Sequence, residues 1–260
     1  MKLTTLGGSA AGTGTLQGCS SYLVQSETSS LVLDLGPGTL QQLRAHVDYR
    51  EIDGVVISHL HADHIADLVA MRFTLSYNPV PPPRPIPLHV PPEGAATLRR
   101  IAQAFDSPDS GLEWFSGVFD INEYDPVETV TVGDLTCSFQ PTVHFVPCWA
   151  IRVRPGDGSG DLFYTADTGP AAGLEEFGRG CSVVVAEAAD QPSNDTPFEQ
   201  RGHLTPQEAG QLAADVGAHT MVLTHIWEEH GIEGVMRGAG DRFSGTLLRA
   251  VPGLEIRWRS

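Results

Sequence analysis

Positive charge is scarce in this chain. Lys and Arg number 16 against 32 Asp and Glu, a formal net charge of −16 over 260 residues. A surface that neutralises many phosphates carries the opposite balance, so the composition argues against nucleic-acid binding. The acidic excess reads first as a solvated, self-repelling surface that aids solubility. Cysteine is sparse too: Cys19, Cys137, Cys148 and Cys181 form no Cys-x-x-Cys pair, which excludes a thiolate zinc knuckle or a redox motif. Isolated buried thiols in a reducing compartment are expected. Long apolar runs are missing. The stretch Met1 to Gly8 lacks the core of a signal peptide, and nothing approaches the length of a membrane span, so the expected location is the cytoplasm, away from any membrane. Gly12-Thr13-Gly14 and Gly36-Pro37-Gly38 complete neither a dinucleotide fingerprint nor a P-loop, and read as tight turns.

What is present fits one α/β domain spanning residues 1–260, with room for a sizeable core. Ser21-Tyr22-Leu23-Val24 and Leu31-Val32-Leu33-Asp34 read as paired strands, followed by a short helix from about Thr39. Ile65, Leu68, Val69 and Phe73 follow a helical period, which predicts a helix from about His64 to Tyr77 with Asp63 as its N-cap. Eight prolines between positions 79 and 92 predict an extended connector with a short strand near Leu88-His89-Val90, either a rigid surface loop or a rim of the site. A helix over 93–105 is expected next. The middle of the chain is β-rich, with a hairpin turning at Gly133-Asp134, strands at 149–153 and 162–165, and an almost wholly apolar strand at 182–186. Thr205-Pro206-Gln207-Glu208 has capping-box spacing with proline at the first helical position, and Gly217 suits the end of that helix. The strand Thr220 to Leu223 leads into Thr224-His225. There is no repeat of fixed period, although two β-rich halves with flanking helices are suggested.

The densest chemistry lies in Ser58-His59-Leu60-His61-Ala62-Asp63-His64, directly after the apolar run Val55-Val56-Ile57. Alternation along a strand would point His59 and His61 the same way, with Asp63 and His64 at the turn into a helix. Two imidazoles and an adjacent carboxylate–imidazole pair can hold two divalent cations side by side. Crowding so many polar rings costs desolvation unless metal or hydrogen bonds satisfy them. Such a site needs further donors. His144, Asp167 and His225 each stand at the end of a predicted strand, where sites collect in layered α/β folds, and His203 opens the capped helix. His46, His89, His219 and His230 read as ordinary histidines.

Together these segments resemble the metallo-β-lactamase superfamily, and within it the ribonuclease Z-like hydrolases. The resemblance runs from Leu6-Gly7-Gly8-Ser9 through Asp34-Leu35-Gly36-Pro37-Gly38-Thr39 to the His-x-His-x-Asp-His signature at 59–64. It continues through His144, Thr165-Ala166-Asp167-Thr168, Glu187-Ala188, His203-Leu204-Thr205 and Leu223-Thr224-His225. It implies a four-layer αββα sandwich with two zinc ions, or manganese, at the edge of its sheets. It implies that His59, His61 and His144 hold one ion, that Asp63, His64 and His225 hold the other, and that Asp167 bridges them. Asp63 would also accept a proton from the bridging water. His203 would contact the scissile phosphate and act as general acid, oriented and kept protonated by Glu187.

Two ions sharing a hydroxide can attack phosphorus or an acyl carbon near neutral pH. Superfamily β-lactamases usually carry cysteine where Asp167 stands, which disfavours a drug-hydrolysing lactamase. Lactonases and glyoxalase II-type thioesterases generally lack the His-Leu-Thr element. Ribonuclease Z carries a long basic arm for transfer RNA, and no insert of that kind is visible. The expected function is a phosphodiesterase acting on a small phosphodiester, such as a cyclic nucleotide, by attack of a metal-bound hydroxide. The alternatives are lactone, thioester or carboxylic-ester hydrolysis on the same scaffold, and tRNA 3′-processing by an endoribonuclease. The resemblance is compatible with a homodimer.

Overall fold

The computed structural model describes residues 1–193 and 195–259. The first half contains β1 (Lys2–Gly7), β2 (Ser21–Gln25), β3 (Ser30–Leu33), α1 (Leu40–His46), β4 (Gly54–Val56), α2 (Ala62–Ile65), α3 (Asp67–Tyr77), β5 (Ile86–Val90), α4 (Gly94–Phe105), α5 (Glu113–Ser116) and β6 (Phe119–Glu123). The second contains β7 (Val130–Val132), β8 (Leu135–Pro141), β9 (Trp149–Pro155), β10 (Leu162–Tyr164), α6 (Glu175–Gly178), β11 (Val183–Glu187), α7 (Pro206–Asp215), β12 (Thr220–Thr224), α8 (Ile232–Gly240) and β13 (Thr246–Arg249); β14 (Glu255–Arg257) then returns to the first sheet. The strand orders are β14-β1-β2-β3-β4-β5-β6 and β13-β12-β11-β10-β9-β8-β7. The sheets share one pattern, in which antiparallel pairing from β14 to β3 and from β7 to β10 gives way to parallel pairing from β3 to β6 and from β10 to β13.

Alternation along the strands divides the core into three slabs. Leu31 and Leu33 of β3 and Val183 and Val185 of β11 meet between the two sheets. Val32, facing the other way, packs against Leu43, Leu68 and Leu98 of the outer helices. On the far side Val184, Ala186, Met221 and Leu223 pack against Ala209, Leu212 and Val235 of α7 and α8. Helix, sheet, sheet, helix is the αββα sandwich that the family resemblance implied. Among the described residues no helix is long and apolar enough to cross a membrane. All four cysteines are buried and free.

Four local expectations need correction. The helix expected over 64–77 is two helices, because the backbone of Leu35 is inserted between them. Its N–H donates to the His64 carbonyl (2.7 Å), and its carbonyl accepts from the Asp67 N–H (3.1 Å). Asp63 is not a cap: His61 holds the N-cap position of α2, and Asp63 sits inside the first turn. The strand before the histidine cluster also ends early, at Val56, so His59 and His61 are aimed by an irregular segment rather than by strand alternation. The proline-rich stretch before β5 is no rim of the site. It enters β5 from its N-terminal end, where Arg84 pairs with Asp53 (3.2 Å), whereas the functional side chains gather at the opposite, C-terminal ends of the parallel strands. The capping box is present in full, with Thr205 accepting from the Glu208 N–H, and Gly217 follows the helix with φ +76°.

Candidate active site

Five parallel strands end at one edge of the sandwich, and each delivers a polar side chain there. Asp34 follows β3, the 58–64 segment follows β4, Asp167 follows β10, Glu187 closes β11 and His225 follows β12. His144 comes from the β8–β9 connection and His203 from the segment before α7. Three residues next to or within this edge, Asp34, Ala166 and His225, adopt left-handed backbone with φ of 55°, 50° and 52°. Non-glycine residues hold that conformation at a cost of order 1 kcal/mol or more, and it persists where the surroundings over-determine it.

Two groups of donor atoms converge on Asp167, and a third, of Glu187, His203 and His225, adjoins them. His59, His61, His144 and Asp167 form one, and Asp63, His64, Asp167 and His225 the other, the atoms of each lying within 4.8 Å of one another. In the first, His61 Nδ1 lies 3.2 Å from His59 Nε2 and 3.0 Å from His144 Nε2. In the second, Asp63 Oδ2 lies 3.1 Å from His225 Nε2 and 3.4 Å from His64 Nε2. Asp167 belongs to both: Oδ1 lies 3.3 Å from His64 Nε2, and Oδ2 lies 3.7 Å from His59 Nε2 and from His144 Nε2.

The imidazoles are locked from behind. His64 Nδ1–H donates to Asp34 Oδ2 (2.7 Å), and His144 Nδ1–H donates to the Gly202 carbonyl (2.9 Å). Ser58 Oγ spends its hydrogen on Asp34 Oδ2 (2.7 Å), so it accepts from His59 Nδ1–H (3.0 Å). In each case Nε2 is left facing the centre, as in metal sites whose outer partners fix the tautomer. Asp34 is the hub of this support. It also accepts from the Ser58 N–H (2.7 Å) and the Tyr164 hydroxyl (2.8 Å), and it is wholly buried.

The protonation states suit cation binding. Burial, with help from the neighbouring His64, pushes His59 well below its ordinary pKa, and burial likewise lowers His61 and His144. Asp63 and Asp167 go down against their burial. Hydrogen bonds from His225 and His64 lower Asp63, and the charges of His225 and His64 lower Asp167. Neutral imidazoles beside ionised carboxylates are the ligand states a divalent ion requires. His64 is the exception: against its burial, Asp167 and Asp34 raise it. A cation between these groups would replace the charge of that proton. Two buried atoms, His64 Nε2 and Asp167 Oδ1, face each other at 3.3 Å without a hydrogen bond, as a metal-ligand pair would. Nitrogen and carboxylate donors in this number fit zinc, and fit manganese less selectively.

Beside the two groups stands a carboxylate–imidazole pair. His203 Nδ1–H donates to Glu187 Oε1 at 3.0 Å. Glu187 is buried and held by the backbone N–H groups of Thr168, Ala189 and Leu204. Burial works against a charged imidazole, but the Glu187 charge and hydrogen bond prevail and raise His203 to about 9. The His203 ring stacks 5.4 Å from His225 and meets His144 edge-on at 5.0 Å.

All nine residues singled out in the sequence therefore lie together. His46, His89, His219 and His230 belong to none of the groups. Asp34, Ser58 and Tyr164 are the supporting residues that sequence reasoning passed over. A single aspartate before Gly-Pro-Gly looks like an ordinary turn former, and neither a serine before a histidine nor an apolar-strand tyrosine carries a signal of its own.

A family model described as a beta-lactamase superfamily domain matches residues 30–226. An uncharacterized protein of Mycobacterium tuberculosis is 32% identical, over 96% of this chain and 90% of its own length. Ribonuclease Z of Haloarcula marismortui is 25% identical, over 99% of this chain and 96% of its own. The crystal structure of YhfI, a metallo-beta-lactamase fold protein from Bacillus subtilis, matches with a TM-score of 0.83 at 25% identity, covering 98% of this chain and 99% of that one.

Proposed function

The chain belongs to the beta-lactamase superfamily and is a metal-dependent hydrolase; from that premise we propose that it is a dinuclear zinc phosphodiesterase acting on small phosphodiesters, cyclic nucleotides among them. His59, His61 and His144 would hold one ion, Asp63, His64 and His225 the other, with Asp167 shared between them. When bound, the ions supply Lewis acidity at a phosphoryl oxygen and acidify a nearby water. Manganese is the alternative occupant.

The observation that carries this reading is the Glu187–His203 pair. A buried carboxylate holds an imidazolium at neutral pH against the edge of the ligand cluster. A phosphodiester passes through a state with added negative charge on its oxygens and expels a basic alkoxide. A preorganised cation beside the phosphorus answers the first demand, and a proton on His203 Nε2 answers the second. Glu187 keeps the ring oriented through Nδ1, so the opposite nitrogen serves the leaving oxygen. Asp63, already hydrogen-bonded at Oδ2, is the carboxylate suited to receive the proton of the attacking water. Ligands come from both sheets, which supports treating the whole chain as one catalytic unit.

RNA cleavage is the second reading, favoured by the near-full-length similarity to ribonuclease Z. The net charge of −16 weighs against a large polyanion and toward a small substrate. The buried free thiols support a cytoplasmic location. The test is a substrate panel on zinc-loaded protein. Bis(p-nitrophenyl) phosphate should be hydrolysed, with activity removed by chelation and restored by zinc. Strong lactone or thioester turnover with no phosphodiester turnover refutes the proposal, and preferential cleavage of precursor tRNA moves it to the second reading.

A further inference from the structure

Phe145 follows a ligand histidine directly and is 69% exposed. Exposure of one apolar ring is ordinary by itself. Its location is not. The ring centroid lies 5.1 Å from that of His144 and 5.7 Å from that of His203, meeting the second edge-to-face. It also lies against the backbone of Gly202, where a Cβ would stand 2.8 Å from its ring carbons, so only glycine leaves room for the phenyl group there. Gly202 is anchored in turn, because its carbonyl accepts from His144 Nδ1. One side of the ring is thus seated on the site itself, and the rest is open to solvent within a ring's width of the proposed general acid.

Resting on the phosphodiesterase reading, we propose that Phe145 is a stacking platform for a nucleobase on the leaving side of the scissile phosphate, and that the substrates are nucleoside phosphodiesters. His203 serves the leaving oxygen, so the group attached to that oxygen is carried over Phe145. A flat heterocycle one sugar away matches both the open ring and its distance from the acid. A planar phenyl group selects bases as a class rather than one base, because each has a π-face and no hydrogen-bonding edge is read. The proposal also gives an acidic protein a way to hold an anionic substrate without a basic groove, since the affinity comes from the ring.

The test compares two diesters that differ only by the base: adenosine 3′,5′-cyclic phosphate and the matching cyclic phosphate of 1-O-methylribose. Wild-type zinc enzyme should prefer the adenosine compound in kcat/KM. Phe145→Ala should cut that preference by between about fivefold and about a hundredfold, the range measured for loss of one base–aromatic stack, with the change falling on KM. Phe145→Trp should preserve it. An unchanged preference in Phe145→Ala overturns the assignment, as does the absence of any preference in the wild type. An equal fall of kcat on both compounds also overturns it, and makes the ring a support for His203. If the wild type fails on bis(p-nitrophenyl) phosphate as well, the phosphodiesterase reading itself has failed. If it turns that ester over but not the adenosine compound, only the platform is lost.

Discussion

Replacing Asp34 by asparagine exchanges one oxygen of a buried carboxylate that accepts four hydrogen bonds for an NH2 group. Asp34 Oδ2 accepts from His64 Nδ1 (2.7 Å), Ser58 Oγ (2.7 Å) and Tyr164 OH (2.8 Å), while Oδ1 accepts from the Ser58 N–H (2.7 Å). An amide has one acceptor oxygen. Its least damaging orientation keeps that oxygen on the three donors and turns its NH2 group against the Ser58 N–H. That leaves a buried donor unsatisfied, at about 1–3 kcal/mol, and removes the charge behind His64. For a chain of this size the melting temperature of the metal-free protein should fall by roughly 2–12 °C. The ring of His64 then loses part of its orientation toward the second ligand group. Loss of such outer partners typically weakens metal affinity 10- to 100-fold, or about 1.4–2.7 kcal/mol. Zinc competition with a chromophoric chelator, run beside thermal melting, measures both. Wild-type zinc affinity in Asp34→Asn would refute the reasoning that the tautomer and aim of His64 are set from behind.

Other outcomes follow from the same geometry. Asp167→Ala should lose zinc and activity together, whereas His203→Ala should keep its metal and lose about 10²- to 10⁴-fold in kcat; elemental analysis beside kinetics separates them, and zinc loss in the His203 variant would make that residue a ligand. The His203 pKa of about 9 sets a basic limb, with turnover falling as pH rises through about 9; in Glu187→Gln the limb should move down toward the ordinary value of 6.5, and a limb that stays in place counts against the pair. The sign for stability is the same, because a raised folded-state pKa gives a contribution that is complete below 6.5 and lost as pH rises through about 9; urea titration at several pH values reads it. Gly210→Ala should destabilise by about 1–3 kcal/mol, since its Cβ would overlap the Ala239 carbonyl of α8; a neutral result in urea would show that the two helices separate freely.

How far the sequence could be read depends on the range of the forces involved. The 59–64 cluster, the Thr205–Glu208 capping box and the apolar strand at β11 are local signals, and each appears where its residues require. The break between α2 and α3 is not local: the intruding backbone belongs to Leu35, some thirty positions earlier. Helix α8 carries a weak local signal, because Ile232–Gly240 contains Gly234, Gly238 and Gly240, which have low helix propensity. In the structure Gly238 lies where a Cβ would stand 2.9 Å from Gln207 Nε2, so small size there serves helix packing. The pairing of β14 with β1 joins residues separated by most of the chain and leaves no local trace. The candidate ligands stand out by residue type and strand-end position, and the family resemblance joins them into one set. The hub behind them does not, because Asp34 is defined by four hydrogen bonds from three residues, Ser58, His64 and Tyr164, that lie in two distant segments.

The last strand closes onto the first, with Lys2 opposite Arg257 and the Met1 amino group donating to the Trp258 carbonyl (3.1 Å). Strand β1 runs antiparallel to β2, and β2 antiparallel to β3, so β1 points toward the same edge as β3 and its beginning lies at the far edge. Six residues of extended chain, about 20 Å, separate that beginning from the reactive rim. An affinity tag, a fluorophore or a tether to a solid support at either terminus therefore hangs from the blunt base of the sandwich and leaves its mouth clear for solutes to enter.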